Sequence, residues 1–456
     1  MSIINWQQFG IKKNPYDVLP LIEGGDISIE KAFVGRVRER KFLEDLFASE
    51  SRVCLTICGN IGVGKTSLAN FHKFIWKYYK EDKRLFSFRR EIEISEKMLD
   101  KRSFLIEIIG SILREIQLID PEIMKKFDLL KRANQVVDIS QSLSFTAGLS
   151  GGFAGWQLGG DFGRDSASSQ PVQFPITTLE QYFSSLLGFI RTEKIAQKIF
   201  TGLIVHVNNF EVVCNNKENK KKVIQFFHEI RDLLQTPHVY FLFLGPKNFF
   251  REIINSQQRV KSVFFQTPLI MVPLTKIEII QAFEERMKLL KSDNVVEYIK
   301  PFEDEVIFKL YDLFEGDIRS IMAALRDILN QYSDKLARTL SIDEAMILLA
   351  NERWDRIEAM SQLTEEQKKI PAYFAQSKLF ISQKDIAEIL HKLQSNISGY
   401  YFKPLKECGI IEEKEKKGNI KYWGLTQDYI PLQYSLEAQK KLQMKSENEA
   451  KQQTLF

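Results

Sequence analysis

The run Gly59-Asn60-Ile61-Gly62-Val63-Gly64-Lys65-Thr66 has residue types and spacing suited to holding a polyphosphate. It fits G-x-x-x-x-G-K-[ST], the P-loop. Its glycines let the backbone wrap phosphates with N–H groups, and the helix that follows points its N-terminus at them. Lys65 would reach the β- and γ-phosphates, the Thr66 hydroxyl would ligate Mg²⁺, and Ser67 opens the helix. A chance glycine turn is the competing reading. The flanks argue against it, because an apolar strand (Val53–Cys58) precedes the loop and a helical pattern (Ser67–Tyr79) follows it. The sequence therefore predicts a nucleoside triphosphate site, with ATP and Mg²⁺ as the expected ligands.

A second apolar strand ending in acids normally completes such a site. One acid holds the water shell of the metal and the next activates the attacking water. The matching segment is Leu203-Ile204-Val205-His206-Val207-Asn208-Asn209-Phe210-Glu211, where both expected acids are asparagine. The Asn208 carbonyl can still accept a hydrogen bond from a metal-bound water, but neither amide is charged or able to act as a base. Glu211 sits two positions late and is either a substitute acid or an ordinary acid at a helix start. Weak or absent hydrolysis is expected. His206 is read as a packed strand histidine without a catalytic role.

The elements that position these residues alternate strand and helix. Strands at Val53–Cys58, Leu203–Val207 and Val239–Leu244, with helices between them, predict a parallel α/β sheet. From Lys276 to about Asn351 the pattern is wholly helical, and after about Thr364 it turns to short helices and a charged hairpin. The expected organisation is an arm over 1–32, a core over 33–275, a helical domain over 276–352, a small domain over 353–435 and a polar tail over 436–456. The chain has 456 residues, 44% hydrophobic and 27% charged, which suits several globular domains rather than disorder. A net charge of +5 over this length does not by itself imply nucleic acid. Cys54 and Cys58 read as buried strand thiols, not metal ligands. Met1–Asn14 lacks a secretory apolar region, and Val239–Leu244 is far too short to cross a bilayer. A soluble, cytoplasmic protein with no membrane partner is expected.

In the small domain, Ile381–Leu390 reads as a helix capped by Ser382, followed by a turn and a second helix over about Ser395–Lys406, closed by Cys408-Gly409. Ile410–Lys416 and Ile420–Leu425 read as strands of a hairpin. The arrangement is similar to a winged helix-turn-helix. If it binds double-stranded DNA, the second helix enters the major groove and Gln394, Ser395, Asn396, Ser398, Tyr401 and Lys403 reach bases or phosphates. Lys414, Lys416, Lys417 and Lys421 would then contact phosphates from the wing. Glu412, Glu413 and Glu415 dilute that charge, and a protein–protein module is the alternative.

The ensemble resembles the AAA+ ATPases, especially the origin-recognition and replication-initiation branch and related signalling and transposition ATPases. The likeness rests on Phe33-Val34-Gly35-Arg36, which looks like the opening motif that contacts the base side of the nucleotide, and on the P-loop. It also rests on Arg259-Val260-Lys261-Ser262 with Pro273-Leu274-Thr275 at the close of the core, and on Gly316-Asp317-Ile318-Arg319 in the helical domain. The resemblance implies a P-loop core, a helical lid and a C-terminal winged helix. It implies that Val34, Gly35 and Arg36 belong to the nucleotide site and that Arg319 is the lid arginine that touches the γ-phosphate. Three departures stand out. Asn208 and Asn209 replace the acids, Gly245-Pro246 stands where a polar sensor is usual (Lys247 and Asn248 being later substitutes), and Val263 stands where an arginine often reaches a neighbouring subunit.

Two functions fit. One is an ATP-binding, DNA-binding initiator, loader or regulator gated by nucleotide. The other is a signalling ATPase switch, of a mobile element or a defence system, that self-associates or binds a protein partner and not DNA. A glycine-rich stretch over about 139–163, with alternating Leu143, Phe145, Leu149, Phe153, Trp156, Leu158 and Phe162, reads as an inserted β-hairpin. It would make a partner contact or pack on its own domain, and the Ser-rich Arg164–Pro171 after it reads as mobile.

Overall fold

The structure is a computed structural model that describes residues 4–146, 174–332, 337–376, 380–418 and 420–435, with side chains in the first of these segments described as far as residue 140. The chain divides into two compact units. Pro20–Val272 forms one, and the residues up to Leu19 join those from Pro273 onward in the other.

The first unit is built on a parallel sheet. Its strands are β1 (Val53–Gly59), β2 (Leu85–Ser87), β3 (Ile92–Glu93), β4 (Gly202–Asn208), β5 (Val239–Gly245) and β6 (Leu269–Met271). The order is β2-β4-β5-β1-β6, with β3 pairing β4. β1 and β5 are buried along their whole length, as expected for central strands covered on both faces. Leu55 pairs with Leu242 and Val205 with Phe241, which fixes the register. Because strand side chains alternate, Ile204, Tyr240, Leu242, Leu55 and Ile57 face one way, toward Phe47, Leu68 and Trp76 of the Val37–Ser49 and Lys65–Tyr78 helices. Leu203, Val205, Val207, Phe241 and Phe243 face the other way, toward the Lys101–Ile119, Ile176–Thr192 and Lys217–Glu229 helices. With β5 between β1 and β4 and helices on both faces, this is the parallel α/β sheet that the alternation of strands and helices predicted.

One expectation is corrected. The first residues of the expected glycine-rich hairpin are helical, because a helix runs Asp128–Thr146. Its buried Leu130, Ala133, Val136 and Val137 recur at helical spacing against the same core. That periodicity carries the helix past Ile139, where alternating apolar positions had suggested a strand. The remainder of the expected hairpin, 147–163, and the Ser-rich segment after it lie outside the described residues.

In the second unit, four helices (Lys276–Leu289, Asp304–Leu313, Ile318–Gln331 and Ile342–Glu358) match the all-helical pattern of the sequence. The start of the chain docks on them. Lys12 donates its backbone N–H to Leu290, and those of Ser292 and Ile299 go to Gly10 and Phe9. Gly10 has φ 74°, a backbone region that favours glycine. Tyr16 is buried edge-on against Phe283, and buried Arg286 donates to the carbonyls of Pro15 and Asp17 at 3.3 and 2.9 Å. Residues 4–19 thus pack within this unit.

The C-terminal module opens with the Glu365–Gln376 helix. It continues with the helix Gln383–Leu390, whose capping box joins Ser382 and Asp385. A turn through His391 in the left-handed region leads to a second helical segment from Gln394 to Glu407, with a π-helical turn at Ile397–Phe402. Three short strands, β7 (Ile381–Ser382), β8 (Ile411–Lys417) and β9 (Ile420–Leu425), form an antiparallel sheet in the order β7-β9-β8. This is a winged helix-turn-helix. Buried Arg353 of the Ile342–Glu358 helix ties into it, donating to the Asp428 carbonyl at 2.8 Å and to the Asp327 carboxylate at 2.9 Å. No helix among the described residues is long and apolar enough to cross a membrane.

Candidate functional site

β1 ends at Gly59, where the backbone passes so near β6 that a Cβ would lie 2.8 Å from the Met271 carbonyl. Gly64, with φ 90°, is the N-cap of the Lys65–Tyr78 helix and has open space on its Cβ side. A side chain at either position would disturb the turn or fill the cradle. Asn60 and Ile61 are exposed, Val63 is buried, and Gly62, Thr66 and Ser67 are half-buried.

Lys65 is buried. Its ammonium donates to the carbonyls of Gly59 and Asn60 at 3.0 and 2.9 Å and lies 2.8 Å from Glu211 Oε1. The three N–H bonds of an ammonium are thereby matched by three oxygens. Glu211 is in the first turn of the short helix Phe210–Val213 that leaves β4, so the late acid does reach the loop.

Asn208, the last residue of β4, donates from Nδ2 to Thr66 Oγ1 at 3.1 Å. It occupies the place expected of a metal-supporting acid, but with an amide. Asn209 has φ 72°, a left-handed conformation that asparagine tolerates better than most residues. The opening motif meets the loop directly, since buried Arg36 donates from Nη2 to the Val63 carbonyl at 2.8 Å and from Nη1 to Glu39 at 3.1 Å. Val34 and Gly35 are half-buried just before it. The resemblance places Arg36 at the nucleotide site, but its pairing with the loop carbonyl has no local sequence signal.

The residues present fit a phosphate chain with Mg²⁺ in part. The glycine cradle, Lys65 and the Thr66 hydroxyl are all in place, and the metal would be held by Thr66 and the phosphates with Asn208 beside them. Among the described residues no group of three His, Cys, Asp or Glu side chains could hold a metal by itself. At the end of β5, Gly245 cannot carry a side chain without striking the Phe249 ring, whose Cγ would lie 2.4 Å from its Cβ. Packing of that ring explains why no polar sensor stands there. Lys247 and Asn248 are exposed in the loop that follows, and Val263 packs against the core. His206 is wholly buried, and burial holds its imidazole neutral, well below its ordinary pKa. Cys54 and Cys58 are buried thiols.

Arg319 is exposed in the first turn of the Ile318–Gln331 helix, which Asp317 caps by accepting from Arg319 N and Ser320 N. Gly316, with φ 75°, packs so near Pro273 that a Cβ would lie 2.6 Å from the ring.

On the winged module, Gln394, Ser395, Asn396, Ser398 and Lys403 are exposed along the second helical segment. Tyr401 does not. It is 3% exposed, packed in the module core beside Ile397 and Leu405, and donates its hydroxyl to Glu366 at 2.7 Å. Tyr401 lies four residues from each of those apolar positions, so the spacing itself places it inward. The exposed aromatic is Tyr400. On the wing, Lys414 pairs with Glu412, Lys417 with Glu415 at 3.4 Å and Lys421 with Glu413 at 2.7 Å. Lys416 is exposed without a carboxylate partner among the described residues.

No protein-family profile matches the chain, and no curated protein matches it. Solved structures similar to it include the ORC1 protein of Aeropyrum pernix in complex with DNA, at 12% identity and a TM-score of 0.48, covering 94% of this chain and 97% of that one. Also similar is the ORC2 protein of Aeropyrum pernix in ADPNP–ADP complexes, at 16% identity and a TM-score of 0.43, covering 95% and 98%. Cdc6p from Pyrobaculum aerophilum is similar at 13% identity and a TM-score of 0.37, covering 92% and 100%.

Proposed function

We propose that the chain binds ATP with Mg²⁺ in the Gly59–Thr66 loop, hydrolyses it weakly or not at all, and binds double-stranded DNA through the winged helix as a nucleotide-gated initiator, loader or regulator. The observation that carries the nucleotide reading is the geometry of Lys65. It is a buried ammonium at the end of a central strand, flanked by a glycine cradle and by Thr66. Weak turnover is supported by Asn208 and Asn209, which stand where a metal-supporting acid and a base would act.

The DNA reading is supported by the second helical segment of the winged module. One side is buried through Ile397, Tyr401, Phe402 and Leu405, while the other presents amides, hydroxyls, Tyr400 and Lys403. Titration of a fluorescent ATP analogue against the full chain and Lys65→Ala, followed by phosphate release, tests the nucleotide half. Tight binding lost in the variant, with turnover near background, is the expected result.

The second reading, a switch that engages a protein, is favoured by one observation. Three of the four wing lysines are paired with neighbouring glutamates, which weakens the positive field of the wing. Nucleotide-dependent self-association without DNA affinity would support it.

A further inference from the structure

Exposed positive charge without a close carboxylate also gathers on the P-loop core, apart from the wing. The Lys217–Glu229 helix begins with Lys217, Lys220, Lys221 and Lys222, capped by Asn216, which accepts from Asn219 N. It packs against the turn Phe250–Ile254, with the Phe227 and Phe249 rings 6.0 Å apart. Lys220 pairs with Glu252 of that turn, which brings the lysine-bearing start of the helix beside the segment after β5 that carries Lys247 and Arg251. Lys222 pairs with Glu218 at 3.3 Å and approaches Glu96 at 4.0 Å.

Lys217, Lys221, Lys247 and Arg251 are all exposed. Among the described residues the first three have no carboxylate or hydrogen-bond partner, and Arg251 has Glu252 only at 3.9 Å. Asn215 and Asn216, exposed beside Lys217, accept from Asn219 through their carbonyl oxygens and keep their NH2 groups as donors, while Asn248 bonds Glu252.

We infer that this face is a second nucleic-acid contact, which takes the phosphate backbone of a DNA duplex. Four flexible cations with amide donors suit phosphate oxygens, which accept from any direction and carry no sequence information. A protein interface would centre on aromatic or apolar anchors, and a single-strand groove would need stacking rings. Phe249 and Phe227 are buried, and the exposed aliphatic side chain next to these residues in sequence is the single Val212. It follows directly on β4 and β5, the strands that end at Asn208 and Gly245, so the contact rides on the same connections as the nucleotide site. The inference rests on the DNA reading above.

The test is duplex binding by the full chain across a salt series. The variants are Lys217→Gln/Lys221→Gln/Lys247→Gln/Arg251→Gln, the milder Lys221→Glu, and Asn396→Ala/Lys403→Ala on the winged helix. The fourfold variant should bind at least tenfold more weakly at about 0.1 M salt, and its slope of log affinity against log salt should be shallower by about 3. Lys221→Glu should fall in the same direction, and its ATP affinity should match wild type. If both core variants keep wild-type affinity and slope while the winged-helix variant loses binding, the patch is a solvated face and the inference fails alone. If wild type shows no salt-sensitive duplex binding, or the patch retains an acidic polypeptide in preference to DNA, the inference is overturned. The absence of all duplex binding would overturn the DNA reading as well.

Discussion

Lys65 Nζ and Glu211 Oε1 lie 2.8 Å apart, and the same ammonium donates to the carbonyls of Gly59 and Asn60. A phosphate arriving at Lys65 must take the place of one of these oxygens, and Glu211 is the one that carries like charge. Glu211→Gln should therefore tighten ATP binding about tenfold, or about 1.4 kcal/mol, while Lys65→Ala should abolish it. Calorimetric titration of both variants checks this. Weaker binding in Glu211→Gln would make Glu211 a contributor to the site instead of a competitor.

The amides at the end of β4 set the second prediction. Asn208→Asp/Asn209→Glu places a carboxylate beside Thr66 and a base one residue later, so phosphate release should rise at least tenfold above wild type. The exchange at Asn209 puts an ordinary residue at φ 72° and should cost about 1 kcal/mol of stability. Vigorous wild-type hydrolysis that the double variant leaves unchanged would show that other groups do the chemistry.

Much of this site was legible in the sequence, because a P-loop is a local pattern whose flanks can be checked. Val53–Cys58 and Ser67–Tyr79 had only to be strand and helix. The winged module was legible for the same reason, through the Ser382 cap and apolar spacing. What could not be read was long-range pairing. Arg36 meets Val63, Glu211 meets Lys65, and Lys421 meets Glu413 across the hairpin, and none of these follows from neighbours in sequence. The Asp128–Thr146 helix was obscured where alternating apolar residues and later glycines mimic a strand, although its buried positions have a helical period. Tyr401 was misplaced although Ile397 and Leu405 flank it at helical spacing.

Tyr401 and Tyr400 should separate stability from recognition. Tyr401→Phe removes the bond to Glu366 from a residue 3% exposed and should cost about 1 kcal/mol in denaturant unfolding, with DNA affinity unchanged. Tyr400→Ala should leave stability within about 0.5 kcal/mol and weaken DNA binding. The reverse pattern would place Tyr401 on the recognition surface.

Stability should fall in mild acid. Burial lowers the His72 pKa to about 3, with the Glu44 carboxylate opposing the shift, and burial holds His206 well below its ordinary value. A histidine with a depressed folded pKa takes up a proton on unfolding, so its contribution is complete above about 6.5 and is lost progressively as pH falls from there. For His72 that window runs down to about 3, and the loss between pH 6.5 and 5 is about 2 kcal/mol. His72→Gln should flatten this slope in urea unfolding at the two pH values. A slope that His72→Gln leaves unchanged would mean that the imidazole is already charged in the fold.

The central claim is that nucleotide binding and DNA binding belong to one molecule, and fluorescence anisotropy on a mixed-sequence duplex tests it most directly. Full-length protein would be titrated beside Asn396→Ala/Lys403→Ala, with and without ATP–Mg²⁺, at two salt concentrations. Salt-sensitive binding that changes with ATP–Mg²⁺ and weakens at least tenfold in the winged-helix variant is the predicted result. No binding at either salt, with or without nucleotide, would contradict it.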